Sequence, residues 1–119
     1  MKIFYIILLL SIAIQGKSQN LKVSLESIAN YVGKTVTICD SVKGTFQSKG
    51  EHKNVFLNFG KPYPNQTFVV VIFGKDLTNF SYNPLEALKD KMICVTGKVV
   101  MYNDKPEIIV DKADQITIQ

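Results

Sequence analysis

Apolar and polar residues divide the chain into a continuous apolar start and a long remainder of short patterned segments. Residues 3–14 are almost entirely apolar, follow Lys2, and end before the small residues Gly16 and Ser18. A short basic start, an apolar stretch and small residues at its exit are typical of a cleaved secretory signal peptide. The apolar stretch is shorter than the roughly 20 residues that a membrane-spanning helix needs. We therefore predict cleavage after Ser18, with Gln19 or Asn20 as the alternative boundary, and one exported domain of residues 19–119, either periplasmic or secreted.

Helical periodicity follows the predicted signal peptide and then gives way to strand periodicity. Apolar residues recur at three- and four-residue spacing between Leu25 and Val32, which predicts a short helix over residues 21–32 that ends at Gly33. Residues 35–39 then alternate polar and apolar side chains, the pattern of a half-buried strand. The chain thus changes from helix to strand at Gly33.

Four further strands are predicted along the rest of the chain. The polar segment 44–54, which contains Gly50, is expected to be a flexible connection between the first two strands. The third strand, residues 68–73, is apolar at every position, so one face lines a barrel interior and the other is covered by a helix, a partner or a ligand. The four strands span residues 55–59, 68–73, 92–101 and 106–110.

A capped helix is predicted between the third and fourth strands, over residues 84–90. Asn83 is a suitable cap residue, Pro84 suits the first helical position, and Glu86 can reach back to the cap amide. The predicted order is therefore helix, three strands, helix, two strands. A mainly β, five-stranded Greek-key barrel with a helix between its third and fourth strands is the OB fold.

Three segments carry a pattern that goes beyond periodicity. They read Gly-Lys-Thr-Val-Thr-Ile-Cys at 33–39, Phe-Leu-Asn-Phe-Gly-Lys-Pro-Tyr-Pro at 56–64, and Gly-Lys-Val at 97–99 followed by Lys-Pro-Glu-Ile-Ile-Val at 105–110. These segments resemble exported bacterial OB-fold domains, and the resemblance extends over residues 31–116. It implies membership of the nucleic-acid-binding OB-fold superfamily, similar modules of which accompany secreted nucleases. OB barrels also bind oligosaccharides and proteins, so the resemblance implies binding and leaves the ligand open.

The charge of the exported form is modest and comes from lysine alone. Without Lys2 and Lys17, the 14 basic residues become 12 against 10 acidic residues, which leaves a net charge of +2. The chain contains no arginine, the residue that makes bidentate contacts with phosphate and guanine. This composition disfavours strong, sequence-specific recognition of nucleic acid.

Cys39 and Cys94 are the only cysteines of the chain. Export to an oxidising compartment favours a disulfide between them, and both lie opposite the apolar positions of strands that pair antiparallel in an OB barrel. Directly opposite residues of such strands are about 4.5 to 5.5 Å apart, which allows a bridge. The alternative is a pair of small buried thiols. A bridge would be structural and would contribute about 4 kcal/mol according to the chain-entropy model.

Metal binding and catalysis find little support among the titratable residues. His52 is the only histidine, and it lies beside Glu51 in the predicted flexible connection. Two cysteines are too few for a cysteine-rich zinc site, and a nuclease of the OB-fold thermonuclease type needs arginines beside acidic metal ligands. We therefore expect no metal, no cofactor and no enzymatic activity, with His52 a solvated loop residue.

The binding surface is predicted on the second and third strands and their adjoining loops. Aromatic rings there can stack on bases while lysines neutralise phosphates, so the leading interpretation is a non-enzymatic exported protein that binds single-stranded nucleic acid weakly. The alternatives are an envelope module that binds a protein or glycan, and an accessory subunit of an extracellular nuclease. A core position for Phe56 and Phe73 also stays open. The candidate residues are Phe56, Asn58, Lys61, Tyr63, Phe73, Tyr102 and Lys105.

Overall fold

The computed structural model describes residues 20–119, and the predicted signal peptide with its cleavage site lies outside the described residues. The described part contains seven strands, one short α-helix and three 3-10 helices. The strands are β1 (Leu21–Val23), β2 (Thr35–Gln47), β3 (Val55–Phe59), β4 (Phe68–Ile72), β5 (Met92–Tyr102), β6 (Lys105–Ile109) and β7 (Ile116–Ile118). The α-helix is α1 (Pro84–Ala87), and the 3-10 helices are Ile28–Tyr31, Gly74–Asn79 and Ala113–Gln115.

Five of the seven strands close into a barrel. β2 pairs with β3, β3 with β4, β4 with β6 and β6 with β5, and β5 pairs back with β2. Only the β4–β6 pair among these is parallel. β1 lies parallel to β2, and β7 lies antiparallel to β5, outside the closed ring. The prediction of a mainly β, five-stranded OB barrel with a helix between its third and fourth strands is confirmed.

A bulge in β2 allows this one strand to take part in two walls of the barrel. Its first half pairs with β5, its second half pairs with β3, and the register shifts between Val42 and Gly44. A bulge adds an unpaired residue and bends the strand. The strand predicted to end at residue 39 therefore continues through Gln47, and only the remainder of the predicted connection is a loop.

Alternate residues of the barrel strands fill its interior. Leu57, Val70 and Ile108 are fully buried neighbours in three adjacent strands, and the rings of Phe59 and Phe68 lie 5.3 Å apart. Full burial of such a side chain contributes roughly 1.5 to 3 kcal/mol. Because side chains alternate between faces, the intervening residues of the same strands form the outer surface.

The N-terminal segment departs most from its predicted structure. The predicted helix over residues 21–32 is wrong for its first part, which forms β1, and only Ile28–Tyr31 is helical, as a 3-10 helix. Three residues of β1 are in register with β2, and this tertiary pairing overrides the local helical pattern. Gly33 adopts a φ of +86°, as expected for the residue that ends a helix.

The capped helix is present but short. The side chain of Asn83 accepts a hydrogen bond from the backbone amide of Leu85 at 3.0 Å, so the predicted cap is confirmed. α1 ends at Ala87 instead of the predicted residue 90. Asp90 has a φ of +61°, a conformation that does not continue a right-handed helix.

The predicted disulfide between Cys39 and Cys94 is confirmed. The two residues are directly opposite in the β2–β5 ladder, with their Cα atoms 4.0 Å apart. This ladder closes the barrel, and the disulfide lies on its outer side. The hydroxyl oxygens of Thr37 and Thr96 lie 2.7 Å apart on the same side of the ladder. The closing seam is therefore held by backbone pairing, a covalent bond and a side-chain hydrogen bond.

Candidate binding face

One row of registered side chains crosses four strands on the outer surface of the barrel. Phe46 of β2 is opposite Phe56 of β3, Phe56 is opposite Val71 of β4, and Val71 is in register with Ile109 of β6. Phe46 is 55% exposed and Ile109 39%, whereas Val71 is 4% exposed. The two phenylalanine rings lie 6.2 Å apart. We call these four residues the apolar row. Its two outermost members are exposed, and Val71 is buried between them.

A second row, one side-chain repeat away, places a carboxyl group beside the apolar row. Asn58, Val69, Glu107 and Val100 are in register across β3, β4, β6 and β5, and we call them the central row. Asn58 and Val69 are 4% and 6% exposed. Burial raises the pKa of the Glu107 carboxyl above its ordinary value of 4.5, because loss of water disfavours the charged form. Glu107 is half-buried on this face, between Val69 and Val100 of the two neighbouring strands.

The β3–β4 loop, residues 60–67, lies against one end of this outer face. The Cα atom of Pro62 is 4.0 Å from the place where a Cβ on Gly44 would lie. The ammonium group of Lys105 donates hydrogen bonds to the carbonyl oxygens of Pro64, at 2.7 Å, and Gln66, at 3.0 Å. Lys105 therefore fastens the loop to β6, and its charge is directed to backbone oxygens.

An open cleft of about 750 Å³ lies at the opposite end of the outer face. The β2–β3 connection forms one side of it, and the side chain of Asn54 accepts a hydrogen bond from the amide of Gly74 at 3.0 Å on the other side. Phe73 is half-buried in the cleft, and Lys75 and His52 line it from exposed positions. The connection that was expected to be flexible is thus bonded to the segment that follows β4.

The structure distributes the predicted binding residues over four places. Phe56 belongs to the apolar row, Asn58 to the central row, and Phe73 to the cleft. Tyr63 is 76% exposed and Tyr102 64% exposed. The four residues at the loop end of the face are Lys61 and Tyr63 in the β3–β4 loop, Tyr102 at the end of β5 and Lys105 at the start of β6.

Three residues of the face were missed by the sequence analysis. Phe46 was assigned to the flexible connection because residues 44–54 are mostly polar and contain Gly50, although Thr45-Phe46-Gln47 still alternates as a strand does. Glu107 and Ile109 were recognised only as part of a strand. Their position beside β4 depends on a parallel pairing between distant segments, and no local pattern reports such a register.

The remaining chemistry of the described residues is sparse. No three or more His, Cys, Asp or Glu side chains among residues 20–119 are grouped as metal ligands would be. None of the helices in this range is long and apolar enough to cross a membrane. The outer face therefore presents the apolar row and one half-buried carboxyl group, with the β3–β4 loop at one end and the cleft at the other.

Comparisons with known proteins identify the fold. No protein-family model matches the chain, and no curated protein matches it. Among solved structures, it is similar to yeast Stn1 and Ten1, with a TM-score of 0.59 and 14% identity over 88% of this chain and 65% of that chain. It is also similar to a Leishmania major protein assigned as an aspartyl-tRNA synthetase, with a TM-score of 0.56 and 16% identity over 89% of this chain and 22% of that chain.

The chain spans less than two thirds of each of these two structures. At such low identity the likeness shows the fold alone. Together with the closed barrel of β2, β3, β4, β6 and β5, it places the described domain among OB-fold domains.

Proposed function

We propose that this chain is an exported, non-enzymatic OB-fold binding protein whose outer face docks an extended segment of a partner protein. The observation that carries the proposal is the apolar row beside the half-buried Glu107. An exposed apolar strip with a polar rim is typical of a protein interaction site. The disulfide between Cys39 and Cys94 supports an oxidising, exported environment.

Charge favours a protein segment over a polyanion on this face. A phosphate backbone would meet the Glu107 carboxyl in the central row, while the nearby Lys105 already uses its ammonium group for two loop carbonyls. The chain also has no arginine. Neutralisation of phosphates supplies essentially all of the non-specific affinity for nucleic acid. A face with little free positive charge is therefore better suited to protein.

Weak binding of single-stranded nucleic acid is the second candidate function. It is favoured by the exposed ring of Phe46 in the apolar row and by the exposed rings of Tyr63 and Tyr102 at the loop end of the face. Stacking on an aromatic ring contributes about 1 to 3 kcal/mol per base and tolerates any sequence. Two or three such contacts would support binding in the micromolar range.

A salt titration separates the two candidates. The anisotropy of a labelled single-stranded oligonucleotide is measured with purified protein at about 50 and about 200 mM salt, where phosphate-driven affinity changes steeply. Docking of protein predicts no salt-sensitive binding of the oligonucleotide. Micromolar binding that weakens with salt and disappears in Phe46→Ala would overturn it in favour of nucleic acid.

A displayed library of random short peptides tests the leading proposal directly. Immobilised wild-type protein is expected to enrich binders, and the double variant Phe46→Ala, Phe56→Ala to lose them. Met92→Ala is the matched control, because Met92 is 45% exposed but lies on the seam between β2 and β5. Failure of the wild-type protein to enrich any peptide would contradict the proposal.

A further inference from the structure

Glu107 and the apolar row form one composite surface. Glu107 and Ile109 are alternate residues of β6, so their side chains lie on the same face about 6.6 to 7 Å apart. Val69 and Val100 flank Glu107 on the two neighbouring strands. The carboxyl group is half-buried and still accessible. A ligand that covers Ile109 therefore also reaches Glu107.

Covering this carboxyl group constrains the chemistry of the ligand. A ligand that removes the remaining water without replacing its hydrogen bonds leaves a buried, unpaired charge, which is strongly unfavourable. An ammonium or guanidinium group replaces the lost water with a charge-assisted hydrogen bond, which is shorter and stronger than a neutral one. A purely apolar or anionic ligand offers no such compensation.

Lys105, the lysine nearest to Glu107 along β6, does not supply that cation. Lys105 is two residues from Glu107 on the same strand face, but its ammonium group lies 2.7 Å from the carbonyl oxygen of Pro64 and 3.0 Å from that of Gln66. Moving it to Glu107 would break both bonds and release the β3–β4 loop. The Glu107 carboxylate therefore keeps its capacity to accept a charge-assisted hydrogen bond from a bound partner.

We infer that the partner segment carries a lysine or arginine that pairs with Glu107, and an apolar or aromatic side chain two residues away that packs on the apolar row. The inference rests on the proposed docking function and deepens it. Side chains on one face of an extended peptide repeat about every 6.6 to 7 Å. This is the spacing of Glu107 and Ile109, so a segment aligned with β6 brings both of its residues into contact.

Peptide selection on charge variants of the full-length protein tests this pairing. The same displayed library is selected on the wild-type protein, on Glu107→Gln and on Glu107→Lys. Glu86→Lys is the matched control, because Glu86 is exposed on α1 and belongs to neither the apolar row nor the central row. Thermal unfolding of each variant establishes that it is folded before selection, and Glu107→Gln preserves the side-chain shape if the lysine variant does not fold.

The inference predicts a specific result. Peptides enriched on the wild-type protein should contain Lys or Arg two positions from an apolar residue. Their affinity should fall roughly tenfold or more on Glu107→Lys, and less on Glu107→Gln, while Glu86→Lys binds as wild type does. Enriched peptides without a basic residue, or with equal affinity for Glu107→Lys, would refute the pairing but leave docking intact. Absence of any enriched peptide would refute the docking function itself.

Discussion

Removal of the disulfide between Cys39 and Cys94 should be the most damaging change at the closing seam of the barrel. The bond joins residues separated by 55 positions in the sequence. A cross-link restricts the unfolded chain, and for a loop of this length the chain-entropy model gives about 4 kcal/mol. Both residues are half-buried, so replacement by alanine adds little cavity cost. We expect Cys39→Ala, Cys94→Ala to lower the free energy of unfolding by about 4 kcal/mol.

Equilibrium unfolding in urea, together with a thermal melt, measures this change. A loss of about 4 kcal/mol corresponds to a fall of roughly 20 °C in Tm for a domain of about this size. Addition of a reductant to the wild-type protein should reproduce the loss. The same reductant should leave the double variant unchanged, because the described residues contain no free thiol besides the bonded pair.

Two results would refute the reasoning about the seam. The first is a loss below about 1 kcal/mol, which is within the range of an ordinary single substitution and would mean that the cross-link does not restrict the unfolded ensemble. The second is equal sensitivity of wild type and double variant to the reductant, which would place the effect outside the Cys39–Cys94 bond.

Three further changes test other parts of the structure. Glu107→Gln should raise Tm slightly at pH 7. Burial raises the pKa of the Glu107 carboxyl, so the wild-type protein should lose stability as pH rises through that pKa. Thermal melts between about pH 4 and about pH 8 should show a smaller loss of Tm with rising pH in the variant. Gly97→Ala should cost roughly 1 to 3 kcal/mol in urea unfolding, since its Cβ would lie 2.5 Å from Ile108; Gly44→Ala, with its nearest atom at 4.0 Å, should be nearly neutral. Lys105→Met should speed amide exchange and proteolysis in the β3–β4 loop without changing the barrel, whereas unaltered exchange would show that the two hydrogen bonds do not hold the loop.

The strands were predictable where local pattern and tertiary structure agree. Val55–Phe59 was predicted without error, and Phe68–Ile72 to within one residue, because β-branched and aromatic runs there are bounded by turn residues. The Cys39–Cys94 pairing followed from matching the two strands by their apolar positions.

Prediction failed where a distant segment decides the outcome. Residues 21–23 were included in the predicted helix because of the apolar spacing between Leu25 and Val32. They pair with β2 instead, and this partner is not visible in their own sequence. Phe46 lies in the part of β2 that follows the bulge near Gly44. It was left out of the predicted face because residues 44–54 are mostly polar and contain Gly50. The neighbours of Glu107 depend on the parallel register of β4 with β6, which barrel closure sets.

The loop fastened by Lys105 also limits how long any partner can stay bound. It covers one end of the outer face, so the free surface is the apolar row with Glu107, roughly 14 Å across four strands and 7 Å along them. An interface of this size engages only a few residues of a ligand, and such contacts dissociate quickly. Durable attachment then depends on several such sites acting together, since a tethered second contact rebinds at a high effective concentration. Clustering of the protein on a repetitive partner would turn a brief contact into lasting association.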